Sequence, residues 1–299
     1  MKSISVHLTD QCNNSCIFCV VDSHKEKRES VNKTVLYKFL EENANKGYES
    51  VNIHGGEATI LKSFMDILAK IKELGYPQVS LQTNGRKLAD LDFAKQAYNY
   101  GVKLFVISVH GKDASQHDFI TQESKSFDEA LEGIRNVKSL GAKVRSNTVV
   151  YKDNISSLTD ITNLLLDIGV DHVNISAIHP VGKAFKNFKQ VTPTYTDFLD
   201  EVYKMIDICV AKNIVVTLEG FPSCILKREY EKYQIQWDEI EFKLLFRNFV
   251  LDNYATFMEK KTKRQGDKCK ECIYSNTCGG VYKEYLDFYG WDEFTPITK

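Results

Sequence analysis

Short apolar runs alternate with longer amphipathic stretches through residues 1–180. Residues 3–8 (SISVHL), 50–54 (SVNIH), 78–82 (QVSLQ), 103–109 (KLFVISV), 143–150 and 172–178 (HVNISAI) have the length and composition of strands. Between them, residues 31–46, 61–74, 88–100, 127–140 and 155–168 repeat apolar positions at helical spacing. Turn residues close most strands: Gly55-Gly56, Asn84-Gly85, His110-Gly111 and His179-Pro180. Strands alternating with helices imply parallel pairing. Six such units in series predict an α/β fold, a partial (β/α)6 TIM-like barrel, two units short of a closed one. Ligands in such folds gather at the carboxyl ends of the strands. Residues 7–19, 54–59, 83–84, 108–111, Asn147 and 179–182 are therefore expected on one face.

After Gly182 the pattern changes. Residues 192–212 read as a helix, 214–218 (IVVTL) as a strand, and 229–261 as a charged, aromatic-rich helical stretch. A boundary near residue 186 divides a core, 1–185, from an extension, 186–299. No internal repeat beyond the strand–helix unit is visible.

Composition narrows the function classes. The chain has 299 residues, 43% hydrophobic and 26% charged, which suits a globular protein with a sizeable core. A formal net charge of −1, with no stripe of Lys and Arg, does not favour a nucleic-acid partner. No run of about 18 apolar residues exists to span a membrane. The first residues, MKSISVHLTDQC, lack an apolar signal core, so a cytoplasmic location is expected. Residues 24–30 (HKEKRES) carry mixed charge and read as a solvated loop.

Eight cysteines in a reducing compartment point to metal rather than disulfides. Cys12, Cys16 and Cys19 directly follow the first strand, in a loop (DQCNNSCIFC) rich in residues that permit irregular backbone. Three thiolates so spaced can hold three irons of a 4Fe–4S cluster and leave the fourth open. Zinc is the rival, but a structural zinc site wants four ligands, and only His7 and His24 lie near in sequence. The spacing arises by chance in roughly one in 200 chains of this cysteine content.

Cys12-x3-Cys16-x2-Cys19 after a first strand resembles the signature of the radical S-adenosylmethionine superfamily. The resemblance implies that the open iron chelates the amino and carboxylate groups of S-adenosylmethionine. One electron then breaks the S–C5′ bond to give methionine and a 5′-deoxyadenosyl radical. It also implies a low-potential electron donor such as a flavodoxin or ferredoxin. Phe18 matches the aromatic position placed near adenine. Gly55-Gly56-Glu57 resembles the family's GGE motif, which binds the methionine ammonium; Ala58 stands where the family often has Pro, which is not a ligand. By residue type alone, the paired glycines allow close backbone approach and the carboxylate suits a cation. Thr83-Asn84-Gly85 is similar to the family's T-N-G, although Asn-Gly favours a turn by itself. Ser108, in SVHG, and Asn147, in SNTVV, are candidate partners of the nucleotide or simply polar strand ends. The resemblance covers most of residues 1–185.

Cys269-x2-Cys272-x5-Cys278 precedes Gly279-Gly280-Val281, and Cys224 in a Phe-Pro-Ser-Cys turn is a candidate fourth ligand. Four thiolates suit zinc or a fully ligated iron–sulfur cluster. The segment resembles the extensions called SPASM or Twitch domains. A full SPASM domain has more cysteines, so a shortened, Twitch-like single auxiliary cluster fits better. Cys209, in an apolar helical stretch, reads as core. The aromatics of 282–289 are expected to pack the extension.

Extensions of this type imply a maturase of a ribosomally made peptide that forms a crosslink or thioether or epimerises a residue. No peptide-recognition segment precedes Cys12, which tells against that reading. The second reading is a radical enzyme acting on a small molecule in cofactor or natural-product synthesis. A third, a non-catalytic iron–sulfur or zinc protein, would leave GGE and the strand–helix repeat unexplained. No acid or base can be assigned.

Overall fold

A computed structural model describes residues 2–235 and 241–298. Parallel strands β1 (Lys2–His7), β2 (Ser50–His54), β3 (Gln78–Thr83), β4 (Val102–Ser108), β5 (Lys143–Val150) and β6 (His172–Ala177) pair in chain order. Helices α1 (Lys33–Ala44), α2 (Phe64–Glu73), α3 (Leu91–Asn99), α4 (Ala114–Thr121), α5 (Ser126–Ser139) and α6 (Leu158–Asp167) connect them. Local chemistry sets their ends. Asn32 caps α1 by accepting from the Thr34 and Val35 amides, and Asp90 and Asp113 cap α3 and α4 likewise. Phe64, Ile67, Leu68 and Ile71 form the buried stripe of α2. The expected six-unit partial barrel is present. Helix α4 was not foreseen, because HDFIT follows a polar run with little helical periodicity.

The sheet continues past residue 186. After one-turn helices α7 (Lys183–Lys186) and α8 (Phe188–Val191) and helix α9 (Leu199–Ala211), β7 (Val215–Glu219) pairs parallel with β6. β8 (Glu241–Phe246) pairs parallel with β1, and β9 (Phe249–Leu251) turns back on β8. The described strand order is β7-β6-β5-β4-β3-β2-β1-β8-β9. The long helix expected over 229–261 is absent from its described residues. These form a 3-10 turn, the β8–β9 hairpin, the one-turn helix α10 (Tyr254–Phe257) and a π-helical turn. Edge pairing to a strand more than 230 residues away overrides local preference there. Helix α9 also starts later than expected, beyond Pro193. β10 (Lys263–Arg264), β11 (Val281–Tyr282) and α11 (Lys283–Tyr289) complete the chain. Among the described residues, no helix is long and apolar enough to cross a membrane.

Alternate strand positions go to opposite faces. Ile4, Val6, Val51, Ile53, Leu81, Phe105, Ile107, Val144, Val173 and Ile175 pack under the helices in the main core, with Cys209 among them as expected. The opposite face carries Ser5, Asn52, His54, Ser80, Arg145, Asn147, His172, Asn174, Thr217 and Glu219. Closed barrels fill this space with branched apolar side chains. Here the inner, or lumen, face is lined instead by polar side chains. Glycine is required at Gly85, whose φ of +83° turns the chain sharply after β3.

Candidate active site

The loop bearing Cys12, Cys16 and Cys19 leaves the end of β1 and is held from several directions. Gly55 and Gly56 lie directly against it: a Cβ on Gly56 would sit 2.4 Å from the Gln11 carbonyl and 2.5 Å from that of Asp10. The Gly56 and Glu57 amides donate to the Thr9 and Gln11 carbonyls at 2.6 and 2.7 Å. The two glycines thus allow close approach of protein backbone to protein backbone. On the other side, Ser15 and Ile17 amides donate to Thr121 and Ile120 at the end of α4. Gly182 abuts the Cys19 and Val20 carbonyls, and the Lys183 amide donates to the Cys19 carbonyl at 2.9 Å.

Three polar centres, one buried at Asp10 and two half-buried at Arg86 and Lys183, complete the frame. The Asp10 carboxylate accepts from His7 Nε2 and pairs with Lys25 and with Arg247 from the β8–β9 turn, each at 2.9 Å. Burial alone would raise its pKa, but these partners and the Glu29 amide draw it down to about 2. Residues 24–30 therefore close over Asp10 rather than forming only a solvated loop. Arg86 binds the Asn14 side chain at 2.9 Å and the Asn13 carbonyl, and pairs with Glu129 of α5. The Lys183 ammonium donates to Ser15 Oγ at 2.7 Å.

Among the expected site residues, Glu57 is fully buried and accepts from the Thr59 amide and hydroxyl, the Thr83 hydroxyl and the Asn84 amide. Burial raises its pKa, and those donors oppose the rise. Asn84 donates to the Asn13 side chain at 2.7 Å and lies 3.8 Å from the Cys12 sulfur. The Phe18 ring packs in a small apolar cluster against His110 and Tyr151. Ser108 and Asn147 are register partners on β4 and β5. His24 bonds the Asn14 carbonyl and His7 bonds Asp10, so both imidazoles considered as extra metal ligands have other partners.

The three thiols share one patch. Burial pushes the Cys12 thiol up to about 12, and neighbouring Glu57 and Cys19 add to the rise. Cys16 is raised by burial and by Cys19 and Cys12. Buried thiols that oppose one another's ionisation suit a cationic metal cluster, which stabilises all three thiolates at once. Among the described residues, no three His, Cys, Asp or Glu side chains are grouped to hold a single ion.

Cys224 joins the second set: with Cys269, Cys272 and Cys278 it lines a cavity of 660 Å³ walled by Trp291 and Phe294. Burial raises Cys224 to about 12, and the other three thiols add to it. The Gly266 and Gly280 amides point at the Cys269 and Cys278 sulfurs. Gly280, at φ +94°, abuts the Arg264 carbonyl. This donor set likewise fits a metal cluster. Tyr285, Phe288 and Tyr289 pack as expected against Phe188 and Tyr195. Tyr282 differs: it stacks on His179 at 4.4 Å, in reach of the Glu219 charge. Apart from Asn147, the lumen row of β5, β6 and β7 lies outside the expected site residues. Its signal was visible: polar residues at alternate positions in strands that should be apolar on both faces.

Residues 6–165 match the family described as the Radical SAM superfamily. The chain is 28% identical over 207 residues to a protein of Sulfurisphaera tokodaii named "Probable GTP 3',8-cyclase". That match covers 69% of this chain and 64% of the relative, so this chain spans less than two thirds of its length. Over 99% of the chain the fold resembles SuiB of Streptococcus suis bound to S-adenosylmethionine, with TM-score 0.72, 16% identity and 76% of that chain covered. It also resembles anSMEcpe with bound AdoMet and the Kp18Cys peptide, with TM-score 0.68, 15% identity, and 98% and 92% of the two chains covered.

Proposed function

Since the chain belongs to the radical S-adenosylmethionine superfamily of enzymes, we propose that it cleaves S-adenosylmethionine reductively and modifies a peptide with the radical. The observation that carries the cleavage chemistry is the three-thiol loop clamped against the Gly55-Gly56-Glu57 turn. When bound, the 4Fe–4S cluster and the nucleotide supply a 5′-deoxyadenosyl radical. Cys12, Cys16 and Cys19 hold the cluster. Glu57 fixes the ends of β2 and β3 through its four donors, so that the backbone around Gly55 and Gly56 faces the nucleotide in one conformation. Asn84, Ser108 and Asn147 offer polar atoms at the strand ends, and Phe18 anchors the loop. Residues 1–185 serve this core. Residues 186–299 add an auxiliary cluster held by Cys224, Cys269, Cys272 and Cys278. Four thiolates would leave no auxiliary iron open to substrate, so the chemistry such a cluster would supply is electron transfer. A flavodoxin or ferredoxin supplies electrons, and the cytoplasm is the setting.

The peptide reading is supported by the whole-length likeness to SuiB and anSMEcpe, which extends over the cysteine-rich part. The second reading, a small-molecule substrate, is favoured by the cyclase relative. Anaerobic reconstitution, dithionite reduction and chromatography for 5′-deoxyadenosine test the cleavage. Wild type should form it and Cys12→Ala should not; an inactive wild type with a full iron content would defeat the proposal. GTP-dependent product formation would establish the second reading. Replacing Cys224 with Ala should lower the iron content or, where three thiolates retain the cluster, alter its EPR spectrum; iron content and spectrum both unchanged would remove Cys224 from the ligands.

A further inference from the structure

Resting on that reading, we propose that Arg145 is the anion-binding residue of the substrate site in the lumen, taking a carboxylate or phosphate oxygen carried by the substrate. Arg145 stands on the lumen face of β5, in register with Val106 and His172. Around it runs a connected polar row. Asn147 accepts from Asn174 and Ser176 at 2.7 and 2.9 Å. Asn174 and Ser176 also bond one Glu219 oxygen, at 3.1 and 3.3 Å. Thr217 bonds Asn174 at 2.6 Å and His172 at 2.8 Å. Every side chain in this row has a partner in the row except Arg145, whose Nε is buried with no partner among the described residues.

The chain's other loop-side arginines behave differently: Arg86 and Arg247 are each locked onto a carboxylate. A guanidinium carries five donors, and leaving a buried one unsatisfied is unfavourable unless a ligand completes it. Glu219 is near enough for its charge to act on Arg145, yet its bonded oxygen is held by β6. The arrangement suits a ligand with an oxyanion for Arg145 and a donor for the other Glu219 oxygen. Arg145 lies two residues, about 6.6 Å, deeper along β5 than Asn147. That depth separates it from the strand-end groups assigned to the nucleotide.

The test is isothermal titration of the reconstituted holoenzyme, without reductant, using inorganic phosphate, acetate and S-adenosylmethionine in turn. One of the two anions should bind wild type, weaken about tenfold or more in Arg145→Gln, and change only about twofold in Arg145→Lys. Phosphate as the preferred anion indicates a phosphorylated small molecule; acetate indicates a carboxylate such as an acidic peptide side chain. Nucleotide affinity should stay within about twofold in both variants. Ligand-free Arg145→Gln should melt no lower than wild type, because an unsatisfied charge is removed. Absence of anion binding by wild type, equal binding by Arg145→Gln, or a selective fall in nucleotide affinity would each overturn the assignment. So would a lowered melting temperature, which would make Arg145 structural. Persistent 5′-deoxyadenosine formation alongside such a result would leave the cleavage reading standing.

Discussion

Around Cys12, Cys16 and Cys19 the backbone is fixed by β2, α4, the β6–α7 turn and the β8–β9 turn, all distant in sequence. Around Cys269, Cys272 and Cys278 the elements are short: a 3-10 helix (Asp267–Glu271) and the two-residue strands β10 and β11. Many of the second segment's ties are local, such as Gln265 to the Ser275 carbonyl and the Ile273 amide to the Ile297 carbonyl. The first site is preorganised by the barrel. The second has little regular structure to hold four cysteines together, so the metal proposed there would itself act as a cross-link. A site where a radical must form in one geometry needs rigid walls. The electron-passing role proposed for the second site would tolerate a softer frame.

The sharpest way to break this contrast is at Gly56. A side chain there meets two backbone carbonyls that cannot step aside. Gly56→Val should cut 5′-deoxyadenosine formation by about a hundredfold or more, since displacement by an ångström is enough to do so. Activity near wild type would show that the loop adapts and is not preorganised.

A smaller effect is expected at Asp10, which gathers His7, Lys25 and Arg247. Asp10→Asn removes the buried charge that holds the half-buried Lys25 and Arg247 and should cost about 3 kcal/mol in urea unfolding of the barrel. Iron at the second site should be unaffected. A loss below about 0.5 kcal/mol would put these contacts in the class of surface pairs.

The mildest test is acid. Burial lowers His54 and His110 to about 3 and His117 to about 4. His110 and His117 each accept a backbone amide at Nδ1, which protonation forbids. Between the unfolded value of 6.5 and these folded values, the unfolded chain binds more protons. Stability therefore falls as pH drops through that window, by about 1.4 kcal/mol per pH unit for each histidine. Asp10 adds its loss only as pH falls from about 4 through about 2. All seven histidines lie in residues 1–185, so the barrel should melt at lower temperature from pH 6.5 to 4. A melting temperature flat over that range would contradict the burial of neutral imidazoles.

The strand–helix alternation was legible because each β-α unit is a local pattern of period and turn residues. Cys12, Cys16 and Cys19 and the Gly-Gly-Glu turn were legible because their spacing is carried by one stretch of chain. Hidden from that reading was β8, whose partner β1 lies at the other end of the chain, whereas Cys224 was legible as a candidate partner of Cys269, Cys272 and Cys278, and the fold brings it to the cavity they line. Arg86, Lys183 and Arg247 were equally hidden, as ordinary surface charges by type. Pattern and spacing are properties of neighbours in sequence, so the sequence by itself determined the repeated unit and the ligand triplet. Which charges are buried together, which glycines touch another backbone, and which arginine is left without a partner depend on how distant segments meet. Only the tertiary structure decides that, because burial is what turns a solvated side chain into one that must be paired.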